Sequence, residues 1–314
     1  MTRIRDQHIR GSIAFGAACD AALSVVLSAR VPEVGVPPPI DRLLITVSLA
    51  GVAAVGLIAY GAALNDLFDR RRDAVVGGRS IGGADRATGP NVIIVVGSLL
   101  LALFAAAAIG RDSTYVTLVL ATLLLFHNAV ARFIPAIGLV VPGAVLAGLM
   151  LIPDWRMPMP IAVWLAMTIA VMAAAGVHVL ADKRPRISRR AGAVVVIGWA
   201  IMSCVVLGLR TGLGSPFWPG TLSPVVLVWP FVVLVGLGLV VRWKIRTASS
   251  PRHAGAKVIR YVALWQPLLA AAWCAGLGDW VATGIFAACG IIGLLAVGGY
   301  RELAGMSGPP AQWR

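Results

Sequence analysis

The sequence predicts an all-α, polytopic membrane protein, a helical bundle with nine or ten transmembrane helices. Of its 314 residues, 59% are hydrophobic and 13% are charged, and the mean hydropathy is +0.88. A soluble domain of that composition would expose large apolar patches to water. Apolar runs recur along the whole chain, each close to the ~20 residues that a helix needs to cross a bilayer. Basic residues fall mainly between these runs, as they do in membrane proteins.

The apolar runs form one domain over residues 1–314, in which ten spans can be placed. The first is a retained helix and not a cleaved signal, because Asp20 interrupts it and no clear cleavage site follows. The last two are the least clearly divided. The four cysteines lie in apolar runs without metal-ligand spacing, so no disulfide or zinc site is predicted. In chain order the spans are 11–29, 43–64, 91–109, 113–130, 138–152, 161–180, 191–209, 222–241, 258–276 and 281–297.

The distribution of positive charge predicts the orientation. Ten spans place both termini on one side, and 22 of the 27 lysines and arginines fall on that side. The positive-inside rule makes this side cytoplasmic. The alanine-, valine- and arginine-rich composition is typical of a GC-rich bacterial source, so we expect an integral protein of the bacterial inner (plasma) membrane. The net charge of +14 is explained by these loops, and without a soluble domain to carry it no nucleic-acid partner is predicted.

The second span ends in the sequence NDLFDRRRD, which begins at Asn65. At about 100° per residue, the side chains of Asn65, Asp66, Asp69 and Asp73 share an arc roughly 100° wide on one helix. Three carboxylates and a carboxamide on one face repel one another unless a cation lies among them, and Mg²⁺ prefers such oxygen ligands together with phosphates. The stretch predicts a metal and diphosphate site. The alternative is an ordinary charged helix end at a membrane surface.

Two further polar stretches close the fourth and sixth spans on the same predicted side. The first, HNAVARFIPAIG, contains Arg132, and the second is HVLADKRPR. In the second, His178 and Asp182 lie four residues apart and therefore on one helical face, and basic residues follow at once. An ordinary positive-inside loop is the alternative. The three stretches can converge on one pocket.

These motifs resemble those of the UbiA superfamily of intramembrane prenyltransferases, which carry NDxxDxxxD at the end of the second helix and DxxxD at the end of the sixth. The first motif is complete here. Arg79, in GGRSIGG, looks like the arginine that follows the motif in that family. Arg132 keeps the family's arginine after the fourth helix, while His127 and Ala131 stand where tyrosine and lysine are usual. In the second motif Asp182 matches, but His178 replaces the earlier aspartate. The resemblance covers about residues 10–190.

The resemblance implies a Mg²⁺-dependent prenyltransferase that moves an isoprenoid from a polyprenyl diphosphate to an aromatic or lipid-like acceptor. Two alternatives remain. His178 and Ala131 suggest a UbiA-like protein that binds prenyl diphosphate with weak or no catalysis, and an acidic face that binds a cation without bond breaking would suit a membrane transporter or lipid-binding protein. The sequence shows no motif that predicts the acceptor, the length of the prenyl chain or the oligomeric state. By resemblance, the metal ligands are Asn65, Asp66, Asp69, Asp73 and Asp182, the catalytic residues are Asp66, Asp69 and Asp182, and the substrate-binding residues are Arg79, Arg132, Lys183, His178 and Arg186.

Asp20 is an ionisable residue within the first predicted span. Such a group is costly inside a bilayer and normally has a purpose. Two interpretations remain open. Asp20 has a functional role, in which it approaches the pocket or binds the acceptor, or it pairs instead with a polar neighbour such as Asn128.

Overall fold

The computed structural model describes residues 2–31, 40–76, 88–156, 159–181, 186–212, 218–220 and 222–306. Within these residues the chain is helical, without β-strands. Short 3₁₀ turns lie at Ala131–Phe133 and Pro224–Leu227. The α-helices are α1 (Thr2–Arg30), α2 (Ile40–Val76), α3 (Thr88–Ile109), α4 (Arg111–Ala129), α5 (Pro135–Gly138), α6 (Val141–Leu151), α7 (Pro160–Leu180), α8 (Arg189–Gly212), α9 (Val228–Arg246), α10 (Pro251–Gly276) and α11 (Trp280–Met306).

Each of the ten longer helices of the described chain overlaps one of the ten predicted spans, which confirms the all-α membrane fold class. By length and composition, seven of them can cross a membrane: α1, α2, α3, α7, α8, α9 and α10. The least clearly divided pair, α10 and α11, is separated by a turn at Gly278, whose φ of 74° is a conformation that glycine adopts without strain.

One predicted span was wrong in detail. Residues 138–152 do not form one helix, because α5 ends at Gly138 and α6 begins only at Val141. Pro142 lies in the first turn of α6, where the backbone N–H that proline lacks has no intrahelical partner anyway. The proline therefore starts a helix here and does not kink one.

Six helices surround the centre of the bundle and four lie outside them. The inner helices are α1, α2, α4, α6, α7 and α10. Among the outer ones, α3 packs on α2 and α4, α8 on α7 and α5, α9 on α10, and α11 on α10 and α1. In the apolar 18-residue stretch of α10, 67% is buried inside the protein, whereas in that of α8 only 11% is. The outer helices expose large side chains such as Phe104 and Phe231. In water such surfaces would aggregate, so they face lipid and the chain is an integral membrane protein.

Helices α1 and α10 run parallel and in close contact. A Cβ atom built on Gly16 would lie 2.5 Å from the carbonyl oxygen of Ala263, so the two backbones meet where only glycine fits. At their far ends, Arg30 and Asp279 form an ion pair of 2.7 Å between Nε and Oδ2. The two helices therefore pass along the same side of the central space in the same direction.

Candidate functional site

The motif Asn65–Asp69 lies on the last third of α2, which is continuous through it. Arg10, near the start of the antiparallel α1, binds the carboxylate of Asp66. Its Nη1 and Nη2 atoms donate to Oδ2 and Oδ1 of Asp66 at 2.6 and 2.5 Å. Both side chains are a little over one-third exposed. This two-point geometry is the strong form of an arginine–carboxylate pair.

Arg132, from the 3₁₀ turn after α4, joins the other two motif residues. Its Nη1 donates to Oδ1 of Asn65 at 2.6 Å, and its Nη2 lies 2.8 Å from Oδ1 of Asp69. Asn65 Nδ2 donates to Asp69 Oδ2 at 2.8 Å, which closes a ring of three side chains. The Arg132 side chain is only 15% exposed, and its guanidinium lies 4.7 Å from the ring centre of Phe133. We refer to Arg10, Asn65, Asp66, Asp69 and Arg132 as the arginine–carboxylate cluster.

A cavity of about 420 Å³ lies between the six inner helices, directly beside this cluster. Arg10 and Asn65 belong to both, so the charged cluster forms one end of the cavity. Most of the wall is aliphatic and includes Leu124, Val145 and Leu149. The polar side chains that line it are Arg10, Asp20, Asn65, His127, Asn128 and Gln266.

Several of these polar groups are buried without partners. Oδ2 of Asp20, Oε1 of Gln266 and Nδ1 of His127 each lack a hydrogen bond. Asn128 donates to the carbonyl oxygen of Leu124 at 2.9 Å. Of the two interpretations of Asp20, the structure therefore favours its approach to the pocket over a pairing with Asn128.

The other predicted site residues stand apart from this cavity or outside the described residues. Arg79, Asp182 and Lys183 are not among the described residues, and only the backbone of Asp73, within α2, is described. His178 is half-buried in the last turn of α7, and Arg186 is exposed ahead of α8. Neither of these two lines the cavity. The structure thus brings together the first and second polar stretches, and does not bring the described part of the third to the cavity wall.

The position of Ala131 explains the missing lysine. Ala131 is fully buried and packs in a core cluster with residues of α2, α4 and α6. A long charged side chain has no space there. Arg132, one residue on, is the side chain that reaches the motif.

Arg10 and Gln266 were not predicted as site residues. Arg10 counted only as one of many positive charges, although its place at the start of α1 puts it opposite the end of an antiparallel α2. Gln266 is a lone amide within an apolar span. The signal that drew attention to Asp20 applies to it as well.

The donor chemistry of the cluster fits Mg²⁺. Asp66 and Asp69 offer hard carboxylate oxygens, and their side chains are 38% and 45% exposed, open to a ligand. The described residues contain no group of three or more histidine, cysteine, aspartate or glutamate side chains placed to hold a metal. Mg²⁺ does not require such a cage, because it is commonly bound by one or two carboxylates, water and substrate phosphates.

Comparisons with known proteins gave one structural similarity. No protein-family model and no curated protein sequence matches the chain. A solved structure described as digeranylgeranylglyceryl phosphate synthase in membranes is similar over 88% of this chain and 99% of that one, with 13% identity and a TM-score of 0.47. The fold and the site of the present chain define a polytopic membrane protein with an internal apolar cavity and a charged cluster at one end.

Proposed function

We propose that the protein is a Mg²⁺-dependent intramembrane prenyltransferase, which transfers an isoprenoid from a polyprenyl diphosphate to a hydrophobic acceptor. The observation that carries this proposal is the arginine–carboxylate cluster at the end of an apolar cavity within a membrane bundle. Guanidinium groups bind diphosphate oxygens. Carboxylates bind the metal that accompanies a diphosphate. The apolar wall accommodates organic substrates. The resemblance of the motifs to those of the UbiA superfamily implies the same reaction, prenyl transfer from a diphosphate.

In this reaction the allylic C–O bond breaks and its electron pair leaves with the diphosphate oxygen. The acceptor nucleophile then bonds to the allylic carbon and releases a proton. Arg10 and Arg132 are placed to turn from their carboxylates to the diphosphate, where they stabilise the growing negative charge. Asp66 and Asp69 would hold Mg²⁺, which would supply further neutralisation of the phosphate oxygens. The aliphatic wall excludes water, which would otherwise capture the prenyl fragment.

The remaining residues of the family pattern extend this proposal. Asp73 and Asp182 complete the metal ligands, with Asn65 holding the cluster together. His178, Arg79, Lys183 and Arg186 contact the diphosphate as it enters. The positive-inside pattern predicts that this end of the bundle faces the cytoplasm of a bacterial cell, from which prenyl diphosphate would enter.

Binding of a prenyl diphosphate tests the proposal. Geranylgeranyl diphosphate is titrated into detergent-purified protein with Mg²⁺ or with a chelator, for wild type, Asp69→Asn and Asp112→Asn. Asp112 is the matched control, because it is an exposed aspartate in the first turn of α4, at the opposite end of the bundle. We expect Mg²⁺-dependent binding that weakens at least about tenfold in Asp69→Asn, since a charged metal ligand is lost, and that persists in Asp112→Asn.

Binding that is indifferent to Mg²⁺ and to Asp69→Asn would contradict the proposal and make the motif a charged helix end. Tight, metal-dependent binding without turnover of any acceptor would instead favour the weakly catalytic alternative. In that case His178→Asp, which restores the second family motif, is expected to increase turnover.

A further inference from the structure

The cavity carries two polar side chains at its inner end, away from the arginine–carboxylate cluster. Asp20 of α1 and Gln266 of α10 line it and are 1% and 4% exposed. Oδ2 of Asp20 and Oε1 of Gln266 have no hydrogen-bond partner. An unpaired buried acceptor costs free energy, and an ionisable group in a membrane span costs more. Two such acceptors beside one cavity indicate a ligand that brings hydrogen-bond donors.

The two side chains lie at nearly the same depth. Gly16 of α1 meets Ala263 of α10, and the two helices run parallel. Asp20 follows Gly16 by four residues and Gln266 follows Ala263 by three. At 1.5 Å per residue, they lie about 6 Å and about 4.5 Å beyond that contact. Their oxygens therefore face one region of the cavity from two neighbouring helices.

This region is well separated from the cluster. Asp20 follows Arg10 by ten residues on the same helix, a rise of about 15 Å. Between them the wall is aliphatic, with Val145, Leu146 and Leu149. The cavity is therefore polar at both ends and apolar between them. An isoprenoid tail, which is hydrocarbon throughout, would leave both inner oxygens unpaired and does not match the inner end.

We propose that Asp20 and Gln266 bind a hydroxyl group of the acceptor, a compact ring-sized molecule whose reacting atom points toward the arginine–carboxylate cluster. The inference rests on the proposed function and names the acceptor's chemical class and its binding site. The cavity volume of about 420 Å³ lies within the range of pockets for one small organic ligand. An acceptor with a hydroxyl group on an apolar ring satisfies the inner end of this cavity and leaves the space toward the arginine–carboxylate cluster for the isoprenoid.

A pair of matched probes tests the inference on the full-length, detergent-purified protein. Dissociation constants of 2-naphthol and naphthalene are measured by their fluorescence for wild type, Asp20→Leu, Gln266→Leu and Ser24→Ala. The probes differ by one hydroxyl group. Ser24 is the matched control, because it is a buried polar residue one turn beyond Asp20 that does not line the cavity.

We expect wild type and Ser24→Ala to bind 2-naphthol about tenfold more tightly than naphthalene, the effect of a hydrogen bond to a charged or buried acceptor. In Asp20→Leu and Gln266→Leu that preference falls at least fivefold, while naphthalene binds as well or better. An undiminished preference in both variants overturns the inference. The inference is also overturned if wild type binds 2-naphthol no more tightly than naphthalene. That comparison uses no variant, so it tests the inference even if Asp20→Leu does not fold.

Geranylgeranyl diphosphate binding in the same preparations separates this inference from the proposed function. We expect Asp20→Leu and Gln266→Leu to keep Mg²⁺-dependent diphosphate binding within about threefold of wild type, because the cluster lies about 15 Å away. Loss of the naphthol preference with diphosphate binding intact supports the acceptor site. If wild type binds no diphosphate, the proposed function fails, and the acceptor role of this pocket fails with it.

Discussion

Arg132 connects the motif on α2 to the turn after α4, and its neighbours hold its guanidinium in a fixed position. Two of its nitrogens bind Asn65 and Asp69, while Nε is buried without a hydrogen-bond partner. The guanidinium lies over Phe133, which fixes its plane. A guanidinium that these contacts hold in place loses little freedom when a phosphate oxygen arrives, so we expect a strong interaction with a diphosphate.

Replacing Arg132 is expected to weaken diphosphate binding far more than it lowers the stability of the protein. We expect Arg132→Gln to weaken Mg²⁺–geranylgeranyl diphosphate binding by about 10–100-fold, because charge-assisted hydrogen bonds worth about 1.5–3 kcal/mol are lost. The stability loss is about 1 kcal/mol or less, since Asp69 is 45% exposed and water can solvate it. Titration and thermal unfolding in detergent measure the two effects.

Arg111→Gln is the matched control for this arginine. Arg111 also donates to a side chain, Tyr115, but it lies at the start of α4, at the other end of the bundle. The Arg111→Gln variant is expected to bind the diphosphate as tightly as wild type does. Equal weakening in both variants would point to a general effect of positive charge and against a specific contact.

At the scale of helices, the contact between α1 and α10 determines the cavity. These are the two most buried of the membrane-crossing helices, and they carry both inner polar groups. Their approach depends on Gly16, where a methyl group would meet the carbonyl of Ala263 at 2.5 Å. Because a carbonyl on a helix backbone cannot rotate away, the helices themselves must move.

Gly16→Ala is therefore expected to destabilise the protein by about 1–3 kcal/mol, the usual cost of overpacking. Gly11→Ala on the same helix is the matched control, because nothing lies within 4 Å of its added Cβ. There alanine is neutral or stabilising, owing to its higher helix propensity. Thermal unfolding in detergent compares the two, and a Gly16→Ala midpoint equal to that of Gly11→Ala would show that the helices adapt without cost.

At the scale of the whole molecule, the inner six helices enclose the cavity and the outer four present apolar side chains to lipid. The charged cluster lies at the end where α1 begins and α2 ends, and the Arg30–Asp279 pair lies at the opposite end. The positive-inside pattern predicts that the cluster end is cytoplasmic. In the proposed function, a diphosphate would then enter from the cytoplasm.

Two exposed positions at the opposite ends of α9 test the orientation. Ser249 lies just after α9 and Gly220 lies ahead of it. In intact cells of an expression host, we expect a membrane-impermeant maleimide to label Gly220→Cys and to label Ser249→Cys only after permeabilisation. Wild type gives the background from the four native cysteines, which lie within helices. The reverse labelling pattern would invert the predicted topology.

The positions of the helices and of the first motif were predictable because they depend on local chemistry. Apolar runs of sufficient length form helices in lipid whatever they pack against, since every backbone polar group must be satisfied within the segment. The register of Asn65, Asp66 and Asp69 on one face follows from the helical repeat alone. The break between α5 and α6 was missed, because an apolar run shows no change in pattern where a turn replaces a helix.

The sequence by itself determined that this chain is a polytopic helical membrane protein with an acidic motif at the end of its second span. Only the tertiary structure decided which cations meet that motif, that Ala131 is in the core, and that Asp20 and Gln266 face one cavity. The reason is physical. Helix formation and burial in lipid depend on composition within about 20 residues, whereas side-chain contacts between helices depend on which helices become neighbours and how closely their backbones approach.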